Sequence, residues 1–200
     1  MSDTMEKLVH AFERFPGVGP RQAQRFVYHL LATSASHRAT LAHLINDLAR
    51  DVHQCPTCFR FWSGKGAHCF SCADRTRDTA LLMVVEKDQD LEAIEKTQTY
   101  RGHYFVLGGV LTLAGKGAIR EQELLRSVDT RRKEGLKEII LALSATSEGE
   151  HTADRLREVL KPYRDHIRIT TLGRGLSTGT ELEYSDAETL SAALINRKES

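Results

Sequence analysis

Ala80-Leu-Leu-Met-Val-Val-Glu86 is the stretch on which the fold turns. Its six apolar residues run without the polar alternation of a half-solvated strand, so they read as a strand buried on both faces. Outward from it, Asp90 to Lys96 has helical texture, Tyr104-Phe-Val-Leu107 is a second buried strand and Ile139-Ile-Leu-Ala-Leu143 a third. Thr152 to Leu160 predicts a helix and Ile167 to Thr171 a fourth strand. Continuous apolar strands separated by helices specify an α/β fold with a parallel sheet and helices on both faces. Towards the amino terminus the period changes. Met5, Leu8, Val9 and Phe12 share one helical face, with Ser2 or Asp3 as cap and an end near Arg14. Ala23, Phe26, Val27, Leu30 and Leu31 repeat the pattern, and Leu41, Leu44, Ile45, Leu48 and Val52 do so again after a break at Ser34 to Ser36. Asp186 to Asn196 predicts a C-terminal helix with Ala187, Leu190 and Leu194 on one face. No internal repeat or low-complexity segment interrupts the 200 residues.

Composition narrows the function classes. Hydrophobic residues at 40% and charged residues at 28% describe a globular chain rather than a disordered or collagenous one. The longest apolar run falls far short of the roughly 18 to 20 residues that span a bilayer, and residues 1–30 carry no signal-peptide pattern, so a cytoplasmic location is expected. Lys and Arg number 28 against 27 Asp and Glu, which argues against a uniformly basic nucleic-acid coat. The balance is uneven along the chain: residues 1–50 carry six basic and four acidic side chains, residues 81–150 ten and twelve. Pro16 to Leu31 holds Arg21 and Arg25 with no acid at all.

That acid-free stretch contains Phe15-Pro-Gly-Val-Gly-Pro-Arg-Gln-Ala-Gln-Arg25. Pro16 and Gly17 suit a tight turn, Gly19 permits close backbone approach or a positive φ, and Pro20 suits the first position of the following helix. Unpaired N–H groups at such a helix start, with the helix dipole, form a phosphate site flanked by Arg21 and Arg25 at i and i+4. A plain helical corner with solvated arginines is the competing reading. Gly and Pro stand where phosphate approach needs them, and the segment resembles a helix-hairpin-helix, which holds DNA without reading bases.

Cys55-Pro-Thr-Cys58 and Cys69-Phe-Ser-Cys72 hold all four cysteines. Paired C-x2-C knuckles let four thiolates converge on Zn²⁺, and four protein ligands leave no open position for catalysis, so a structural site follows. His53 and His68 are read as solvated neighbours, and Phe59 and Trp62 as packing residues of the loop. Glu86 follows the first strand, and Glu148 and Glu150 of Ser147-Glu-Gly-Glu-His151 follow the third. At strand carboxyl ends these carboxylates suit Mg²⁺, and they suit helix caps or an acidic contact surface equally. The Gly-rich run from Thr171 to Asp186 lacks G-x-x-x-x-G-K-[ST] and a complete G-x-G-x-x-G, so it reads as a loop, with Arg174 facing a phosphate or a partner chain.

The strand-plus-glutamate pattern resembles a Toprim domain, although Glu-Gly-Glu stands where that pattern has Asp-x-Asp. The whole order of segments resembles the RecR family of bacterial recombination mediators, with further matching stretches at Leu91-Glu-Ala-Ile-Glu95, Val106-Leu-Gly-Gly109 and Glu138-Ile-Ile-Leu-Ala142. Departures fall at Phe105, at Leu111 to Ile119, and at Ser177. The resemblance implies a multi-part α/β chain: a helix-hairpin-helix DNA-binding domain over 1–53, a four-cysteine zinc finger over 54–77, a Toprim-like domain over 78–172, and a C-terminal Gly-rich segment and helix over 173–200. It implies a non-enzymatic DNA-binding adaptor in recombinational repair, a tetrameric ring in the nucleoid-associated cytoplasm that works with RecO and RecF to load RecA. Pro16, Gly17, Gly19, Arg21 and Arg25 are then the DNA contacts. Cys55, Cys58, Cys69 and Cys72 hold structural zinc, and Glu86, Glu148 and Glu150 form an acidic surface for RecO. The rival is a Mg²⁺-dependent Toprim nuclease or nucleotidyl transferase.

Overall fold

Two helices joined by a glycine turn, α1 (Asp3–Glu13) and α2 (Pro20–Ala32), bury Val9 against Ala23 and Val27, with Met5, Phe12 and Val18 at the margin. The computed structural model describes residues 3–173, 175, 176, 179 and 181–197. The chain divides into two units, residues 1–53 and 54–200. In the first, α3 (Ala35–Asp51) follows α2 after only two residues, because Ser34 caps it by accepting from the His37 N–H at 3.2 Å. The expected break at Ser34 to Ser36 is therefore a cap, with the helix already under way at Ala35. No residue of α3 is buried, and Leu44, Ile45 and Leu48 stay about 60% exposed (60%, 59% and 59%). A unit that buries three side chains is thin for independent stability.

The second unit begins within a two-residue strand, β1 (His53–Gln54), paired with β2 (Phe61–Trp62), and continues through α4 (Phe70–Ala73). A four-stranded parallel sheet follows, in the order β4-β3-β5-β6: β3 (Asp78–Val85), β4 (Gly102–Val106), β5 (Glu138–Ala142) and β6 (Arg168–Thr171). In register, Met83 sits beside Tyr104 and Ile140, and Ile139 beside Ile169. The crossovers are α5 (Asp88–Lys96), α6 (Glu121–Lys133) and α7 (Ser147–Val159), with α8 (Ala187–Ile195) near the carboxyl terminus.

Both faces of the sheet are covered, as the uninterrupted apolar strands require. Leu82, Val84, Phe105, Ile139 and Leu141 meet Leu124 and Val128 of α6 and Ala153 and Leu156 of α7. The alternate residues Met83, Val85, Tyr104 and Val106 meet Leu91 of α5. Each fully buried Leu, Ile or Phe contributes about 1.5–3 kcal/mol of transfer free energy. Phe105, a departure from the resembled pattern, is fully buried and meets the Phe59 ring edge-on at 5.4 Å. The Leu111 to Ile119 segment is a turn closed by Thr112 N to Lys116 O at 2.7 Å and anchored by Leu111 N to Thr152 Oγ1 at 2.8 Å.

One helix was not anticipated, and two expectations are corrected. The unanticipated helix α6 carries no clear apolar period, because its buried stripe is Leu124, Val128 and Arg131. The helix expected from Thr152 starts at Ser147, where Thr146 accepts from the Gly149 N–H at 3.1 Å. In α8, Asp186 caps the Thr189 N–H at 2.8 Å, but Ala187 and Leu194 of the expected apolar face are exposed. Arg174 and Ser177 lie outside the described residues, as does Ser2, one of the two expected caps of α1.

Candidate nucleic-acid interface and metal centre

The turn between α1 and α2 is built by hydrogen bonds from Phe15 N to Phe12 O (3.0 Å) and Val18 N to Phe15 O (3.1 Å). Gly17 supplies the left-handed residue, φ +76°. Gly19 is the N-cap of α2 at φ −87° and ψ 172°, so of the two roles open to it the positive φ is excluded. Nor does its own chain need the space: a Cβ at Gly19 would meet nothing within 4 Å. No side chain caps α2, Pro20 opens it, and its first turn holds no acid. Pro16, Gly17, Gly19, Arg21 and Arg25 are all exposed, and Gly19, Pro20, Arg21, Gln22 and Arg25 line one shallow depression. Unsatisfied N–H groups, a positive dipole end and two cations thus share an open concavity, which suits a phosphate.

The four cysteine Sγ atoms lie within 4.8 Å of one another, with Cys55, Cys58 and Cys69 buried and Cys72 half-buried. All four are free thiols. A tetrahedral Zn²⁺ with Zn–S near 2.3 Å places its sulfurs roughly 3.8 Å apart, so the cluster fits a closed four-thiolate metal site. The first knuckle is shaped by Phe59 at φ +63°, whose N–H reaches Cys55 O at 2.9 Å, and the second by Cys69 at the N-cap of α4. The contact between Cys58 and Cys69 Sγ, 3.5 Å, pulls the Cys69 pKa down and drives that of Cys58 up, the two thiols sharing a proton between them. Metal ligation requires the thiols deprotonated, so binding a metal here releases protons. The loop is fixed to the sheet: Val106 N donates to Cys58 O at 2.8 Å, and Phe59 packs into the core below. Trp62 packs against the cysteines, as expected. His68 is exposed, its Nδ1 3.1 Å from Thr57 Oγ1, and neither it nor His53 joins the cluster.

The acidic residues behave differently. Glu86, at the end of β3, accepts from the Ser144 N–H at 2.6 Å and so ties β3 to the loop after β5. Glu148 is exposed and Glu150 half-buried, and both stand in the first turn of α7, where the helix dipole favours negative charge. They were expected to follow the third strand, and of the readings open to them the helix start is the one observed. Among the described residues the four cysteines are the group close enough to share a metal, and the three glutamates are not brought together in that way. The geometry lends no support to Mg²⁺ at this position. Among the described residues no helix is long and apolar enough to cross a membrane.

Residues beyond the expected set also matter. Arg60 is buried with its guanidinium 4.7 Å from the centre of the Phe70 ring, and His103 and Arg131 are buried polar side chains at the amino-terminal side of the sheet. Nothing in their sequence neighbourhood marks them, since burial of a charged side chain is decided by tertiary packing.

Comparison with known proteins agrees with this arrangement. Residues 5–49 match the family described as RecR, helix-hairpin-helix, residues 80–172 match the Toprim domain, and residues 175–198 match RecR, C-terminal. Recombination protein RecR of Syntrophobacter fumaroxidans is 38% identical over 197 residues, covering 97% of this chain and 94% of that protein. Its counterpart in Myxococcus xanthus is 38% identical over 200 residues, 98% of each chain, and that of Staphylococcus haemolyticus is 34% identical over 197 residues, also 98% of each. With matches of this extent on a helix-hairpin-helix, a four-cysteine cluster and a Toprim sheet, the chain belongs to the RecR family of recombination proteins.

Proposed function

We propose that this protein is a non-enzymatic DNA-binding adaptor of recombinational repair, a clamp that works with RecO and RecF to load RecA. The observation that carries the reading is the open, acid-free N-terminus of α2, with Arg21 and Arg25 beside an uncapped helix start. A site of this kind grips backbone phosphate and ignores base sequence. Zn²⁺ at Cys55, Cys58, Cys69 and Cys72 plays a structural part, because four thiolates close its coordination sphere. Glu148 and Glu150 offer an acidic face for RecO, and Glu86 braces the loop after β5 by accepting from the Ser144 N–H. The uncovered Leu44, Ile45 and Leu48 of α3 favour self-association, and a ring of four copies is the assembly proposed, located with DNA in the cytoplasm.

The test is a salt series of DNA binding. Replacing Arg21 and Arg25 by Ala weakens binding about equally for all sequences and lowers the log–log salt slope by about 1.8, two phosphate contacts at roughly 0.9 each. An unchanged slope rejects the hairpin as the grip. Light scattering in the same solutions reads assembly, and a monomer at every concentration rejects the ring.

A further inference from the structure

A cavity of about 680 Å³ lies on the side of the sheet away from Glu86, between α6, the cysteine loop and the amino-terminal ends of β3 and β4. The reading of the chain as a DNA adaptor makes no use of it. Arg75, Arg77, Arg126 and Arg131 line it, against Asp74, Glu123 and Glu134.

The arginines are not equivalent. Arg77 is engaged by a carboxylate: Nη1 and Nη2 donate to Glu95 Oε1 and Oε2 at 2.9 and 2.7 Å, and Nη1 also reaches Gly102 O at 3.0 Å, although its buried Nε makes no hydrogen bond. Arg131 is 7% exposed, and none of the ion pairs among the described residues includes it. Its one side-chain hydrogen bond is long and neutral, Nε to Ser127 Oγ at 3.4 Å. Beside it His103 is 8% exposed, and its Nδ1 is buried without a hydrogen-bond partner. Burial first, then the positive charges of Arg131 and Arg77, push the His103 pKa below its ordinary value, while Glu134 and Asp74 oppose that. A neutral imidazole retains one N–H to donate.

A largely buried arginine outside the ion pairs of the described residues and an imidazole nitrogen buried without a partner face the same cavity, and the second is costly to leave so. One anion satisfies both. Arginine's planar fork matches the paired oxygens of a phosphate, and Ser127 and Thr130 bring hydroxyls to the same wall. The volume suits a ligand of nucleotide size. We propose that this cavity is an oxyanion site that takes the phosphate group of a nucleotide-sized ligand, held by Arg131 and His103.

The experiment is calorimetric titration of the full-length protein with inorganic phosphate at constant ionic strength, beside acetate, AMP and a short oligothymidylate. Phosphate binds saturably at one site per chain. Arg131→Gln weakens that binding by about tenfold or more, the loss expected for one charge-assisted hydrogen bond. Arg126→Ala, at an exposed position of the rim that no fold contact depends on, weakens it severalfold, and the doubly substituted Arg21→Ala, Arg25→Ala protein retains it. AMP binding tighter than phosphate identifies a free nucleotide as the source. Oligothymidylate competing with phosphate in the Arg21→Ala, Arg25→Ala background identifies the DNA backbone instead. No saturable phosphate binding overturns the proposal. So does phosphate binding unchanged in Arg126→Ala and in folded Arg131→Gln, which leaves Arg131 serving only the dipole at the carboxyl end of α6. Acetate binding as tightly as phosphate overturns the phosphate assignment.

Discussion

Substituting Gly19 by Ala separates what the hairpin needs in order to fold from what it needs in order to bind. The backbone there is at φ −87°, ordinary for any residue, and an added methyl meets no atom of the chain within 4 Å. Alanine is a poorer N-cap than glycine by about 0.5–1 kcal/mol, but it restricts the unfolded chain and returns about 0.4–1 kcal/mol. Stability therefore changes by less than about 0.5 kcal/mol. If a phosphate is held by the N–H groups at the start of α2, the methyl stands in its approach, and losing a charge-assisted hydrogen bond costs about 1.5–3 kcal/mol, a ten- to hundredfold drop in affinity. The salt slope should not change, because no cation is removed and the same counterions are released. Gly17→Ala gives the contrast: at φ +76° a side chain is strained by about 1–2 kcal/mol, so stability falls first. The assay pairs urea denaturation with fluorescence anisotropy on labelled single strands at several salt concentrations. Wild-type affinity in Gly19→Ala refutes the reasoning, for then nothing comes close to Gly19. A parallel fall in affinity and slope would show that the arginines had moved with it.

The remaining predictions concern the second unit. Gly149→Ala should destabilise by about 2 kcal/mol, because its Cβ would stand 2.1 Å from Ser144 O, although the same change in an open helix gains stability; a raised urea midpoint refutes the packing. Thiol modification should release one zinc ion per chain, and metal-free protein should lose its thermal transition for the cysteine loop, so an unchanged melting curve after chelation counts against a structural metal. Glu148→Ala should cost no more than about 0.3–1 kcal/mol, its interaction with the helix dipole, and abolish RecO capture in a pull-down, whereas full capture rejects the acidic face.

What could be read from the sequence, and what could not, follows the physics of each element. Strands β3, β4 and β5 were legible because burial on both faces removes polar residues from a strand, leaving runs such as Leu82 to Val85. The cysteines were legible because thiolate convergence depends on short loops within the knuckles. The helix α6 was not: Arg131 occupies its third buried position, and Arg120 gives its start no side-chain cap. The start of α7 was hidden because Gly149 is a poor helix former, and there the glycine is required by close approach to Ser144 O. Strand order is fixed by how the crossover helices pack, so the central position of β3 is not written in any local stretch.

The carboxyl edge of an open parallel sheet is where such folds place their ligands, and here its glutamates are turned to other tasks. Glu86 holds the Ser144 N–H, and Glu148 and Glu150 sit in the first turn of α7, each already stabilised by backbone dipoles. Glu148 is exposed and turns its carboxylate to solvent. The hairpin presents the opposite sign, with no acid in the first turn of α2. At physiological salt the Debye length is about 8 Å, so an approaching partner senses the patch it meets and not the chain's sum of +1. Near neutrality of the whole chain thus coexists with local patches of opposite sign, an acid-free start of α2 and an acidic first turn of α7.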